Sequence, residues 1–489
     1  MKLKIKSKIH YFLYKSPYIF IKMTQASFLL IFEVNKMFKR ITLFMVMAFV
    51  NISVYSETLT SALSHAYTNN PIINSKRAEL RSLDENVSAA SSQFFPSIEV
   101  MGSYSENSLK YGDLDKVTTN PLVGSVSVNQ KIFTGGRLIS DRLSAVNLVA
   151  AGRQSLRDSE QNILFLAAKV YFNYLKTEQI VKLQQNNFEV LKERLEATKI
   201  QFEVGELTLT DVAQADARLS QAQSNLADAR SLLQAREAEY RSIIGLNPSD
   251  LSEWNKTLKY PDNEDDAISM ALNNNPLLKY NEKVERSSRY KVISQKSMLA
   301  PQLSLRGEYI YAEDQSFLMP DDIDQYQITG QVKIPIFYGG LSWSNIRKAQ
   351  ELNSRDRYLI IDAKRKIRSY VKTAYAEYSA SILRISATEK QVGATDIALE
   401  GVKQEFELGT RTTLDILDAE QEYLDARVSL VTAKNDSNIA LFLLSYYLGT
   451  LTPENLSLDV KIYNPNKNYK SVRTIKIGPQ RIKVIGNVD

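Results

Sequence analysis

The sequence predicts an α+β membrane protein in which four alternating β-strands share one chain with α-helices of coiled-coil length. Three observations carry that expectation. The chain is a tandem duplication, each copy holds two period-two strands, and its helical stripes are too long for a globule.

The duplication is read from fixed offsets. Asn69-Asn70-Pro71 recurs as Asn274-Asn275-Pro276, and Phe95-Pro96 as Ala300-Pro301, both 205 positions on. Phe133-Thr134-Gly135-Gly136 recurs as Phe337-Tyr338-Gly339-Gly340 at 204. Tyr171 and Tyr174 return as Tyr375 and Tyr378. Phe202-Glu203-x-Gly205-x-x-Thr208-x-x-Asp211 returns as Phe406-Glu407-x-Gly409-x-x-Thr412-x-x-Asp415. Landmarks this widely spread keep one offset within a single residue, which chance does not do.

Within each copy the expected order is a helix, two strands and two long helices. In Ser97–Ser105, Ile98, Val100, Gly102 and Tyr104 alternate with Ser97, Glu99, Ser103 and Ser105. In Val123–Phe133, Val126, Val128 and Ile132 oppose Ser125, Ser127, Asn129 and Lys131. The second copy repeats the pattern with Leu303, Leu305, Tyr309 and Tyr311, then with Ile328, Val332, Ile334 and Ile336. Polar connections, Glu106–Pro121 and Ala312–Gln325, read as solvent loops. Strands of about ten residues match membrane-spanning length. Alternation by itself also fits a soluble, half-buried sheet. Four strands cannot close a barrel, and lipid forbids an open edge, so membrane strands here must be pooled among several chains.

The helical stripe runs from Ile163 through Leu166, Val170, Tyr174, Thr177, Val181, Gln184, Phe188, Leu191, Leu195 and Thr198 to Phe202. Steps of three or four make it a coiled-coil seam. A helix from about Leu138 to Val204 spans about 100 Å, and a partner returns over Thr210–Ile244. Helices of that length form a projecting stalk or tube.

Composition narrows the function. The 489 residues include no Cys and only two His, His10 and His65. Thiol chemistry, a disulfide framework, a lipid-bearing Cys and imidazole catalysis are thereby excluded or starved. The net charge of +6 sits at the ends, because sixteen basic residues against two acidic ones lie in residues 1–56 and 460–489. The body between them is acidic, which argues against nucleic acid. Met37-Phe38-Lys39-Arg40, the apolar run Ile41–Ile52, and Val54 and Ser56 have the layout of a signal peptide ending at Ser56. The same run also fits a buried N-terminal helix. Residues 1–36 are Lys-rich and consistent with an upstream start codon. The expected organisation is therefore 1–56 extension and signal (37–56), 57–250 first repeat, 251–459 second repeat, and 460–489 a basic, flexible tail.

The paired Phe-x-x-Gly-x-x-Thr-x-x-Asp turns resemble those of the TolC family of outer-membrane channels. So do Ile334-Pro335-Ile336-Phe337-x-Gly339-Gly340 and the opening Leu59-Thr60-x-Ala62-Leu63 with Asn69-Asn70-Pro71. The resemblance covers roughly residues 57–460. It implies a homotrimer that pools four strands per chain into a 12-stranded outer-membrane barrel above a periplasmic tunnel of twelve helices. It implies a passive exit duct for type I protein secretion or multidrug efflux, joined to a periplasmic adaptor and an inner-membrane pump of ABC or RND type, with no cofactor or metal. The alternative is a periplasmic coiled-coil adaptor or structural protein without a pore; a catalytic set for an enzyme is absent.

The same resemblance places a gate at the periplasmic turns. Asp415 and Asp418 match its acidic constriction, and a spacing of three puts them on one helix face. Three-fold symmetry would stack two carboxylate rings, whose crowding raises their pKa values and attracts cations. A solvated helix N-terminus, where Asp is favoured by the dipole, is the competing account. Arg411 matches a latch that pairs with the neighbouring first-copy turn, Thr210 and Asp211. Phe406 replaces the Tyr usual in the family and removes a hydroxyl from that latch. Gly205 and Gly409 allow the helix reversals. The Gly-Gly pairs lack the Lys-Ser/Thr of a phosphate loop and read as strand-to-helix turns.

Overall fold

The computed structural model describes residues 57–254, 258–315, 322–473 and 478. The N-terminal extension and signal segment lie outside these residues, as does half of the basic tail.

Each copy opens with two helices rather than one. In the first copy they are α1 (Leu59–Asn69) and α2 (Pro71–Ser92). Proline has no N–H to donate and drives the preceding residue out of the helical region, so Asn70 adopts φ −60°, ψ 127°. The break is then sealed by the Asn70 side chain, which accepts from the N–H groups of Ile72 and Ile73. After strands β1 (Ser97–Tyr104), β2 (Asn107–Leu109), β3 (Val117–Thr119) and β4 (Leu122–Phe133) come the long α3 (Arg137–Glu203) and its return α4 (Leu209–Ile244).

The second copy follows the same plan. Helices α5 (Glu264–Asn274) and α6 (Pro276–Ser297) are broken at Asn275, whose φ −60°, ψ 126° repeat those of Asn70. Strands β5 (Gln302–Glu313) and β6 (Ile323–Lys333) lead to α7 (Leu341–Glu407) and α8 (Thr413–Tyr447). Both α3 and α7 are 67 residues long. Their common length of about 100 Å is the clearest trace of duplication.

The strands form one antiparallel sheet in the order β1-β4-β5-β6. Its register aligns the alternating residues into continuous rows. Val100 faces Val126, Val126 faces Tyr309, and Tyr309 faces Tyr326. Ile98, Val128, Gly307 and Ile328 form the next row. A half-buried soluble sheet would hide such rows, yet Val100 is 79% and Ile328 82% exposed, and every residue of β1 is exposed. Edge strands β1 and β6 have no partner on their outer side among the described residues. Among the described residues no helix is long and apolar enough to cross a membrane. The loops are shorter than expected: β2 pairs β3 inside Glu106–Pro121, and Ala312, Glu313 and Ile323–Gln325 belong to strands. Ile334 and Ile336, by contrast, lie beyond the end of β6.

The main core sits midway along the long helices. Phe172 of α3, Phe442 of α8 and Trp254 of the inter-repeat connection meet edge to face at 5.2–6.0 Å. Tyr171 donates its hydroxyl to the carbonyls of Glu57 and Ser252, tying the start of the first repeat to the start of the second.

The expectation of a flexible tail does not hold for residues 460–473. Helix α9 (Pro465–Val472), capped by Asn464, lies against α2. Tyr463 and Tyr469 pack on the core of Leu80, Val87, Val149 and Leu156. Arg77 stacks between the rings of Tyr67 and Tyr463 at 4.7 and 5.1 Å, and Arg153 covers Tyr469 at 4.9 Å. Cation–π stacking and buried apolar faces overcome the segment's polar composition.

Candidate functional site

The two turns joining α3 to α4 and α7 to α8 are built by the same local chemistry. Each long helix ends with glycine in the left-handed region, Gly205 at φ 85° and Gly409 at φ 74°, where a Cβ would be strained. Glu206 N–H then donates to Gln201 O and Gly205 N–H to Phe202 O. Thr410 N–H to Glu405 O and Gly409 N–H to Phe406 O repeat the pattern. These are the paired bonds of a Schellman motif. Three residues on, Thr208 and Thr412 cap the return helices in capping boxes closed by Asp211 and Asp415. The duplicated motif is thus a turn-building signal: Gly ends one helix, and Thr and Asp begin the next.

That role accounts for Asp415 and Asp211. The Asp415 carboxylate accepts from the N–H and hydroxyl of Thr412 at 2.9 and 2.8 Å. Those bonds hold its pKa below the usual carboxylate range. Asp211 is lowered in the same way, first by the Thr208 hydroxyl and then by the Thr208 N–H. The rise expected from crowded rings belongs to an assembly of three chains. Within one chain the local influence on Asp415 runs the other way.

Asp418 is not free either. Its Oδ1 accepts from Arg218 Nη2 at 2.5 Å, linking α8 to α4 across the two repeats. Arg411 donates through Nε to Glu405 of its own turn at 2.7 Å; within the chain neither Thr210 nor Asp211 is its partner. Phe406 lies under the Arg194 guanidinium, 6.0 Å from ring centroid to Cζ. Arg194 in turn donates to Glu420 at 3.0 Å, joining α3 to α8. Leu191, Ala222 and Leu417 pack beside them, with Phe188 and Leu219.

Arg194, Arg218, Glu405 and Glu420 were not singled out from the sequence. The repeat alignment holds a faint signal, since Asp418 and Glu420 replace Gln214 and Asp216. Their partners lie 200 and 226 positions away, beyond any local pattern.

Comparison with known proteins agrees with this architecture. The family model described as outer membrane efflux protein matches residues 62–246 and 267–450, one span inside each copy. The outer membrane efflux protein BepC of Brucella suis biovar 1 is 31% identical over 418 residues, covering 86% of this chain and 91% of that protein. Outer membrane protein TolC of Salmonella enteritidis is 24% identical over 82% of this chain and 84% of its own. The solved structure of the Campylobacter jejuni CmeC outer membrane channel superposes with a TM-score of 0.73 at 14% identity, covering 85% of this chain and 89% of that one. The fold is that of outer-membrane channels, with strands for the membrane and long helices for a periplasmic tunnel. On the family match and the BepC relationship, this chain belongs to the outer membrane efflux protein family.

Proposed function

We propose that three copies of this chain assemble into one passive export duct, their twelve strands closing a barrel in the outer membrane and their helices a tunnel in the periplasm. The observation that carries the reading is the four-stranded sheet with both edges open and its apolar rows exposed. Lipid tolerates exposed apolar side chains but not unpaired backbone, so the edges of β1 and β6 must be joined to other copies. The duct contains no energy source of its own. Drive comes from an inner-membrane pump of ABC or RND type, recruited through a periplasmic adaptor, and the cargo is a secreted protein or a small toxic molecule.

The turns are the gate. They lie at the far end of α3 and α7 from the sheet, and Asp415 and Asp418 occupy the first turns of α8. Rings of these carboxylates around a three-fold axis would attract cations. Arg411 of one chain would face Thr210 and Asp211 of the next as a latch, while the Arg218–Asp418 pair binds the two hairpins of each chain together.

Extraction from membranes in mild detergent tests the assembly. A heat-modifiable oligomer three times the chain mass is expected, and a soluble monomer overturns the reading. Single-channel recording tests the gate: trivalent cations should block the wild type, and D415A/D418A should relieve that block.

A further inference from the structure

Gln154, Arg157 and Gln161 of α3 follow one another at spacings of three and four, so their side chains share one stripe of the helix. The second copy carries Tyr358, Ile361 and Arg365 at the matching positions, so the duplicated architecture does not require this polar set. The three residues line a cavity of about 550 Å³, whose other walls are Tyr67 of α1 and the connection from α8 to α9. Neither β1, β6 nor α7 lines it, so it lies away from the sheet edges that the assembly joins. A cavity of this size accommodates a small organic ligand.

Its polar groups are short of partners. Gln161 is 1% exposed, and neither atom of its amide has a hydrogen-bond partner. The Gln154 amide oxygen is buried in the same condition. A buried amide left open on both sides calls for a donor and an acceptor placed together. Two cations stand beside it. Arg153 and Arg157 form no salt bridge among the described residues, and the Arg153 Nε is buried without a hydrogen-bond partner. Of the two carboxylates in the lining, Glu160 is engaged by Arg77 at 3.3 Å. Glu454, on the connection after α8, forms no salt bridge among the described residues.

This donor set selects among ligands. An inorganic anion uses the guanidinium groups and leaves the glutamines open. A neutral sugar uses the glutamines and leaves the guanidinium groups open. A peptide ending in a carboxylate engages both, because its last peptide group offers N–H and C=O together and its carboxylate suits arginine.

We propose that the cavity binds the carboxylate end of a short periplasmic peptide. Arg153 and Arg157 take the carboxylate, Gln161 the adjacent peptide group, and Glu454 the ammonium of a ligand two or three residues long. The site rests on the periplasmic placement of the helices and is independent of the gate.

Isothermal titration calorimetry of the full-chain oligomer in mild detergent tests it, with trialanine and trialanine amide as probes. Trialanine should bind, and loss of its carboxylate should weaken binding by about tenfold or more. R157Q, at an exposed position, should weaken trialanine to a similar degree. Q161M keeps the side-chain length and removes both unpaired atoms, so it should reduce binding and yet raise the melting temperature of the oligomer. A peptide of the same length ending in two D-alanines separates the sources. Preference for it assigns the site to cell-wall peptides, and preference for the all-L form assigns it to protein-derived ones. No binding of either peptide at millimolar concentration overturns the proposal, as does equal binding of trialanine and its amide, and neither result depends on a variant. A lowered melting temperature in Q161M also overturns it, because the amide would then be satisfied within the fold.

Discussion

Arg194 on α3 donates to Glu420 on α8 at 3.0 Å, so a single ion pair fastens the first repeat's long helix to the second repeat's return helix. Glu420 is 6% exposed and the Arg194 side chain 23%. Removing one partner from a buried pair strands the other charge, and Arg194's partial access to water softens that cost. E420A should therefore destabilise the tip by about 2 kcal/mol. R194M/E420L should recover most of it, because an apolar pair of similar volume avoids desolvation altogether. Hydrogen exchange at the tip amides of the assembled oligomer measures both; additive effects of the two sites would remove the pair from the account.

Arg218 and Asp418 make a weaker contact, since their side chains are 37% and 52% exposed. An exposed pair contributes about 0.5 kcal/mol. Three equivalent pairs in a trimer would sum to about 1.5 kcal/mol, roughly a tenfold shift between closed and open gates. R218A should lengthen the open dwell time in planar bilayers by that factor, with the effect shrinking at high salt. A salt-independent change would point to altered packing instead.

Asp415 and Asp418 should separate on substitution. D415A removes the Asp415 half of the capping box, so it should loosen the tip amides as well as relieve cation block. D418A should leave the tip amides protected, and besides relieving block it should lengthen the open dwell time as R218A does, because it breaks the same ion pair. The pH dependence follows from the lowered Asp415 pKa. A depressed carboxylate stabilises the fold above its unfolded value near 3.9, and that stability is lost as pH falls through the folded value. Tip protection should therefore be flat from pH 7 to pH 5 and fall only below about pH 4. Protection lost already at pH 6 would indicate that crowding across the trimer dominates.

Much of this molecule was legible where the deciding chemistry is local. Gly205, Thr208 and Asp211 specify the turn within a span of seven residues, and their recurrence at Gly409, Thr412 and Asp415 exposed the duplication. Alternation in the strands was readable for the same reason, and the register then aligned Val100, Val126, Tyr309 and Tyr326. What escaped was decided at long range. Asn70 and Asn275 break a helix and cap the next one in a single step, so the apolar pattern carries through and hides the break. The Arg218–Asp418 pair spans 200 positions. Tyr463 and Tyr469 look like isolated aromatics in a polar tail until Arg77 and Arg153 are brought beneath them.

That strap supplies the last test. Asn468 on α9 donates through Nδ2 to the Asp84 carboxylate at 2.8 Å, while the other oxygen of Asp84 is buried without a partner. Burial pushes the Asp84 pKa up, more than Asn468 and the nearby Arg153 and Arg81 pull it down. A carboxyl raised in the folded state favours the protonated form, so its stabilising contribution is present at low pH and lost as pH rises through the folded value. Docking of residues 463–472 should then be firmer near pH 4, close to the unfolded carboxylate value, than at pH 8, opposite to the trend at Asp415. D84N keeps an acceptor for Asn468 and removes the buried charge, so it should raise strap protection at pH 8 by about 1 kcal/mol and abolish the pH dependence. Hydrogen exchange of the α9 amides reads both. Weaker protection in D84N at every pH would mean that the charge of Asp84, through Arg153 and Arg81, holds the strap rather than opposing it.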